Sequence, residues 1–564
     1  MSPFDTERSH PISIPPRRGT GASTTAGRAR VESTPRRIVR PGSNTWREVR
    51  AEDSGVIVDA ADYYRAFYRS AREARRSILM SGWQFDSGVE LLRGRDALPG
   101  REVRLLRFLN QLCEENENLR VHILAWDFHI VFAGEREWMQ RVYFHWMTNT
   151  RFQFLFDDCP LPGGSHHQKF VVIDGVVSYL GGMDVCESRW DDRHHHGRNS
   201  LRGSRGRPSM PYHDVQAYLA GRRVGSALED LFWERWTNAG GEKPDAGVAE
   251  EPARPFRPRG LIPLGPARIA LSRTEPCPPE RPTIREIERL LVDAIESARG
   301  SIYVETQYFS SHRLCRAFEE RMRDAGKPRL RIVVVVNERA EKLKEEIAVG
   351  LRQAENLEHL RRVAAETGHD LGLYYSLCEG VTEDFRATYI HSKVMIVDDR
   401  FLTVGSANFT NRSMGLDSEL HASWEAAPGD ARLVRRIRRV RVSLLAEHGG
   451  LSGVRAVRKL WAPDELVAHL DEFASGPGAR LQRHGPPTPV QAAVMSLIDP
   501  KDLPFDPEMP ECGEPEEGEG VAAGSARPWL SPWGAATAVW QLVSRLASQV
   551  SPVGSRSAGD PVTR

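Results

Sequence analysis

The sequence predicts an α/β fold of two similar lobes, each a mainly mixed β-sheet flanked by helices, related by a pseudo-two-fold axis. Three observations predict it. Apolar residues switch repeatedly between helical and strand periodicity from residue 59 onward. A short pattern, H-x-K-x4-D, occurs twice: His167-Gln168-Lys169 with Asp174, and His391-Ser392-Lys393 with Asp398. The two copies share their surroundings at one offset of 224 residues, which carries Ala74, Ser77, Ile78 and Gly181 onto Ala298, Ser301, Ile302 and Gly405. Landmarks far apart within each half keep one register, as in a duplicated unit.

Along the chain, residues 1–45 are rich in Pro, Ser, Thr, Gly and Arg and read as a disordered basic tail. Lobe 1 is expected over 46–240. Asp59 to Arg76 has helical spacing, Ser77 to Trp83 reads as a buried strand, and Glu102 to Glu115 as a helix. Leu119 to Trp126 and Phe152 to Phe156 are strands, and His167 leads into the β-branched run Phe170–Ile173 with Val176–Leu180 as its hairpin partner. Residues 191–209 read as a polar loop, Asp214 to Leu219 as a strand and Ala227 to Trp236 as a short helix. Residues 241–283, rich in Pro, Gly and charge, are expected to be a linker and surface excursion.

Lobe 2 is expected over 284–450. It has a helix to Arg299, strands at Ser301–Glu305, Leu330–Asn337 and Leu371–Leu377, and a long helix from Glu338 to Thr367. A helical extension over 451–483 follows. Residues 484–564 read as a largely disordered tail, with an amphipathic helix at 535–550 that would dock on the protein's own surface or on a membrane interface.

Composition limits the function. Lys+Arg 77 against Asp+Glu 76 removes the strong basic bias of a non-specific nucleic-acid binder, although a local basic cleft stays open. Seven scattered cysteines without a C-x-x-C pair argue against a disulfide framework or a zinc site and fit a cytosolic compartment. No apolar run approaches the ~18–20 residues of a membrane span, so membrane contact is expected to be peripheral. Delivery outside the cell by a route without a signal peptide stays open.

The duplicated pattern carries chemistry. His and Lys two residues apart on a strand share a face. Imidazole is a nucleophile and proton carrier near neutral pH, and the ammonium is a fixed charge for an anionic oxygen. Two such units meeting suit a phosphodiester. One His attacks phosphorus, the other protonates the leaving alcohol, and Lys169, Lys393 and Asn408 hold the phosphate oxygens. No cofactor or metal is required. Asp174 and Asp398 stand with the site as motif members without a chemical step, since each could equally orient a neighbour or cap a turn. The pattern itself does not decide which His attacks. Each copy runs through six residues to a small-residue turn, Gly181-Gly182-Met183-Asp184 or Gly405-Ser406-Ala407-Asn408. An acid near phosphate is unfavourable, so Asp184 is expected to be structural and outside the phosphate set.

Over roughly residues 46–450 the sequence resembles the phospholipase D superfamily. The lipid-cleaving branch is suggested by Gly82-Trp83-Gln84-Phe85-Asp86, Arg189-Trp190-Asp191-Asp192, Tyr212-His213-Asp214-Val215, Tyr303-Val304-Glu305-Thr306-Gln307-Tyr308-Phe309, and Asn411-Arg412-Ser413 leading to Asp417-Ser418-Glu419. The resemblance implies a phospholipase D-like two-lobed fold with both motifs at the lobe interface. It also implies a ping-pong route through a covalent phosphohistidine, His167 as nucleophile and His391 as general acid, then base. A carboxylate is implied behind each His, Glu419 for His167 and Asp214 for His391, each crossing between lobes. Hydrolysis of a phospholipid's distal phosphodiester, or transfer to an alcohol, is then expected at a membrane surface, with water or alcohol as acceptor, no nucleic acid, and a monomer. A cardiolipin-synthase-like transferase and a nuclease with the same chemistry are the alternatives.

Other residues are candidates for the site. His194-His195-His196 has no Cys partner and its carboxylates lie beside Arg, so a solvated or substrate-facing cluster is favoured over a metal site. Trp83, Tyr308 and Phe309 are expected in the core or cleft wall. Arg189, Arg193 and Arg412 are candidates for a phosphate or head group.

Overall fold

The computed structural model describes residues 36–127, 148–159, 161, 163–204, 207–244, 252, 254–277, 281–339, 349–380, 386–487 and 506–507. The amphipathic segment expected at 535–550 and the first 35 residues lie outside these.

Two sheets organise the fold, and seven strands of each run in the same order. In the first sheet the order is Asp53–Val58, Val215–Ala220, Val177–Gly181, Phe170–Ile173, Ser77–Gly82, Arg120–Trp126, Phe152–Asp157. In the second it is Ala267–Glu275, Glu419–Glu425, Phe401–Gly405, Val394–Val397, Ser301–Glu305, Arg331–Val335, Asp370–Ser376. The pairing senses match as well. Ser77–Gly82 and Ser301–Glu305 each have a parallel neighbour on one side and the antiparallel motif hairpin on the other. The duplication is therefore one of topology as well as of motif.

Side-chain alternation sorts the core into layers. Leu79, Phe170 and Val172 from the first sheet share one apolar cluster with Tyr303, Val394 and Ile396 from the second. The opposite parity packs outward. Ile78, Met80, Val171 and Ile173 meet Tyr64, Phe67, Phe108 and Leu109 from helices Ala60–Arg72 and Leu105–Glu115. Ile302, Val304, Met395 and Val397 meet residues of helices Glu286–Ser297, His312–Arg323 and Leu351–Thr367. Both sheets are thus buried on both faces, which explains the continuous apolar runs of their central strands.

Asp174 and Asp398 fix each motif hairpin to the strand beside it. Each has φ of 53°. Asp174 Oδ1 accepts from the N–H groups of Arg76 and Ser77 at 2.8 and 3.0 Å, and Oδ2 from Arg75 at 2.9 Å. Asp398 repeats this with Gly300, Ser301 and Arg299 at 2.7, 2.9 and 2.9 Å. Grouping these aspartates with the catalytic residues is corrected here: both carboxylate oxygens serve backbone donors at the far end of the motif strand.

Other boundaries also differ from expectation. The supposed linker 241–283 contains Ala267–Glu275, a nine-residue strand paired on both sides. Ile269 and Leu271 enter the cluster between the sheets and Ala270 the outer one, a short apolar run buried on both faces and hidden among prolines. Arg47–Ala51, placed by sequence in lobe 1, pairs with that strand in the second sheet. Part of the expected basic tail packs against the second sheet. Ile38 and Val39 are buried, and their N–H groups donate to Glu425 at 2.8 and 2.9 Å. Helix Arg222–Asn238 is 17 residues long, and the later helix begins at Leu351, residues 340–348 lying outside the described set. In the supposedly disordered C-terminal tail Asp506 is buried, accepting from Ser310 Oγ at 2.6 Å and Arg412 N at 2.8 Å.

Candidate active site

The two motif strands begin where the sheets meet, and each is stitched to the other lobe. His167 N donates to Ser418 O at 2.9 Å, and His391 N to His213 O at 2.8 Å. Tyr212–His213 pairs in parallel with Tyr389–Ile390, and His166 bridges Ser418 in the same sense. The residue following each acceptor, Glu419 or Asp214, then faces the imidazole just placed. His167 Nδ1 lies 3.1 and 3.0 Å from the two oxygens of Glu419, and His391 Nδ1 lies 2.7 Å from Asp214 Oδ2. Each pair joins the two lobes.

Each lysine folds back on its own motif. Lys169 Nζ donates to His167 O at 3.2 Å, and Lys393 Nζ to His391 O at 2.5 Å. Beyond this the half-sites differ. Lys169 is paired with Asp184, Nζ to Oδ2 3.3 Å, with both side chains buried. The other Asp184 oxygen accepts from Trp83 N at 2.8 Å. Lys393 instead reaches the neutral Gln307 Oε1 at 3.4 Å, which Asn408 Nδ2 also approaches at 3.2 Å. Asp184 therefore belongs to the site, contrary to the sequence expectation: its charge is balanced by the motif lysine. In the sequence Gln307 stands out only as part of the longer stretch Tyr303–Phe309. Its signal was its place two residues beyond a buried strand, equivalent to Trp83.

The carboxylates behind the histidines also differ. Burial opposes ionisation of Glu419, but His167 and hydrogen bonds from Ser406 and Ser413 pull it down to about 2. Ser406 Oγ donates to Glu419 Oε2 at 2.5 Å. Burial pushes Asp214 up to about 7, against Lys393 and the N–H of Val215. The residue equivalent to Ser406 is Gly182. A Cβ there would come 2.5 Å from Asp214 Oδ1 and 2.9 Å from His391 O, so no hydroxyl-bearing side chain fits. Burial, then Lys393, Arg189, Lys169 and His167, hold His391 well below the usual histidine range. Burial also pushes Lys393 down to about 7, opposed by Asp214 and reinforced by Lys169.

Aromatic rings line the His391 side. Tyr212 and Tyr389 lie 5.2 and 6.5 Å from its ring, and Gln307 Nε2 donates to Tyr389 Oη at 2.8 Å. Trp83 stacks on Trp126 at 5.6 Å, and Tyr308 Oη meets Tyr389 Oη at 3.1 Å, whereas Phe309 is core. Of the candidate arginines, Arg189 acts electrostatically on His391 and Lys393. Arg193 is paired with Glu447 and Arg412 with Asp417. The histidine run separates. His194 and His196 are exposed and stacked, but His195 is fully buried between Asp191 and Glu447. The expected solvated cluster is corrected for His195, whose partner Glu447 lies 252 residues away.

Residues 291–440 match the family model described as cardiolipin synthase, PLD-like domain. The chain is 27% identical over 429 residues to phospholipase D A of Dictyostelium discoideum, covering 65% of this chain and 32% of that protein. It is 24% identical over 547 residues to phospholipase D alpha 3 of Arabidopsis thaliana, covering 72% and 65%. It thus spans one third to two thirds of the length of these two relatives. Among solved structures, phosphatidylserine synthase of Haemophilus influenzae Rd KW20 aligns at a TM-score of 0.47 and 15% identity, covering 76% of this chain and 94% of that one.

Proposed function

We propose that this chain, which belongs to the phospholipase D superfamily, is a phosphodiesterase that cleaves the distal phosphodiester bond of glycerophospholipids and passes the phosphatidyl group to water or an alcohol. The observation that carries the reading is the pair of histidines, each with Nδ1 held by a carboxylate from the opposite lobe. That arrangement leaves Nε2 of both rings available for one phosphorus centre.

The different carboxylates favour different roles. Glu419, firmly ionised, accepts Nδ1–H of His167 and leaves the Nε2 lone pair free for attack. Asp214 retains a proton up to about pH 7. The His391–Asp214 pair then holds two protons, and one sits on His391 Nε2 whether the other lies on oxygen or on Nδ1. His167 Nε2 attacks phosphorus, the P–O bond to the head-group alcohol breaks, and the leaving oxygen takes the proton from His391 Nε2. In the second half, His391 Nε2 takes a proton from the incoming water or alcohol, whose oxygen forms the new P–O bond as the P–N bond breaks. Lys169, Lys393 and Asn408 hold the non-bridging oxygens. Bound phosphate anion also offsets the cations that depress His391, which favours its protonated form when needed.

Lipid contact is peripheral in this reading: no helix among the described residues is long and apolar enough to cross a membrane. A phosphatidyltransferase is a second reading, favoured by the match of 291–440 to the cardiolipin synthase model. It differs only in the acceptor. Purified protein assayed on mixed phospholipid vesicles and on DNA, with His167→Ala as control, tests the substrate class. Release of phosphatidate or phosphatidyl-alcohol, lost in the variant, is expected. DNA cleavage lost in the variant with lipid untouched would sink the reading.

A further inference from the structure

Behind His391 lies a buried group of charges that the reaction as written does not use. Glu447, near the end of helix Ala431–His448, accepts on Oε1 from His213 Nδ1 at 2.8 Å and from His195 Nε2 at 3.0 Å. Its Oε2 is paired with Arg193. His213 Nε2 donates to Glu305 Oε2 at 3.1 Å, and Glu305 Oε1 accepts from His448 Nε2 at 2.9 Å and from Tyr303 Oη. His195 Nδ1 donates to Asp191 Oδ2 at 2.9 Å. His195 and His213 thus have a carboxylate at both ring nitrogens.

Both ends of this group lead to the His391 half-site. The backbone carbonyl of His213 accepts from His391 N, and the next residue, Asp214, holds His391 Nδ1. Two residues beyond Glu305, Gln307 contacts Lys393 and Asn408. The His167 half-site is backed by a smaller group, in which Arg235 is paired with Asp157 at 2.7 Å and donates to Ser81 Oγ at 2.8 Å. Ser418 stands where His213 does, its Oγ bonded to His166 Nδ1 at 2.9 Å, and Ser81 stands in place of Glu305. Buried charges are costly and add little net stability, so the larger network gathered from both lobes behind His391 asks for a local reason.

We infer that Glu447, acting through His213 and together with Glu305, is a positioning residue that sets His391 and Asp214 for proton transfer to the leaving group. Glu447 at Nδ1 and Glu305 at Nε2 fix His213 from both sides, and hence the backbone carbonyl and the following carboxylate that orient the imidazole. This rests on His391 being the general acid.

The test compares single-turnover release of two leaving groups. Choline leaves phosphatidylcholine as an alkoxide that needs a proton, and p-nitrophenol leaves its phosphatidyl ester unprotonated. Glu447→Gln is expected to slow choline release by roughly 10–100-fold, part of the ~10²–10⁴ that general acid catalysis supplies, and p-nitrophenol release by less than about 3-fold. Glu447→Asp is expected to recover part of the loss. Equal slowing of both esters, or of neither, overturns the positioning role. His391→Ala calibrates the underlying reading, since it must abolish choline release and spare the first p-nitrophenol. If it slows both alike, His391 is not the acid, whatever Glu447 does. Should Glu447→Gln fail to fold, Arg193→Gln at the rim probes the same carboxylate. It is expected to slow choline release alone by about 3–10-fold, and loss of that selectivity overturns the inference equally.

Discussion

The two halves of the site share a backbone and differ in charge. Behind His167 the carboxylate is ionised despite burial, because His167 and then the donors Ser406 and Ser413 hold it down. Behind His391 burial pushes the carboxylate towards neutrality, and Gly182 offers no side-chain donor to offset it and leaves no room for one. Beside Lys169 stands an acid, and beside Lys393 an amide. Duplication supplies two equivalent imidazoles, whereas the proposed reaction needs one as nucleophile and one as proton carrier. The difference between the halves lies in the residues around the motif, with the motif residues themselves identical.

That comparison is open to attack at several points, beginning with the largest effect. Lys393, at about 7 in the empty site, binds an anion in its protonated form, and the bound anion raises its pKa. Affinity for diethyl phosphate, whose single charge is constant over the range, should therefore be flat below pH 7. It should fall by up to ~100-fold between pH 7 and 9, as judged by calorimetry. A flat profile throughout would contradict the depressed lysine. Ser406→Ala removes a donor from Glu419 and makes the His167 side resemble the other. Phosphoenzyme formation should slow by roughly tenfold, the worth of a hydrogen bond to a charged group. Asp184→Asn removes the charge opposing phosphate at Lys169. Affinity for diethyl phosphate should rise by about 3–5-fold, near 1 kcal/mol for a charge contact in a partly screened site. Asp174→Asn is expected to leave kcat within about 2-fold while lowering stability by ~2 kcal/mol, since it weakens bonds to backbone donors far from the chemistry. An activity loss well beyond the loss of folded protein would return Asp174 to the site.

Much of this was legible in the chain because duplication wrote it twice. The shared offset between Ser77 and Ser301, and between the two motifs, follows strands whose order is the same in both sheets. The carboxylates Asp214 and Glu419 were reached through family resemblance. Their spacing alone gives no sign of them, because each serves the histidine of the other lobe. What the sequence concealed depends on distant partners. His195 in a run of three histidines looks solvated until Glu447 and Asp191 enclose it. Ile38 and Val39 are a lone apolar pair in an Arg- and Pro-rich stretch, and become core only against the second lobe. Asp184 was set aside because an acid opposes phosphate. A buried lysine within reach balances it.

The central claim is that one histidine forms a bond to phosphorus and the other moves protons. Trapping the intermediate tests it most directly. With phosphatidyl-p-nitrophenol, whose leaving group needs no acid, acid quenching should recover an acid-labile phosphohistidine from His391→Ala, which cannot activate water, and none from His167→Ala. Labelling of His167→Ala at residue 391 would reverse the assignment and contradict the account.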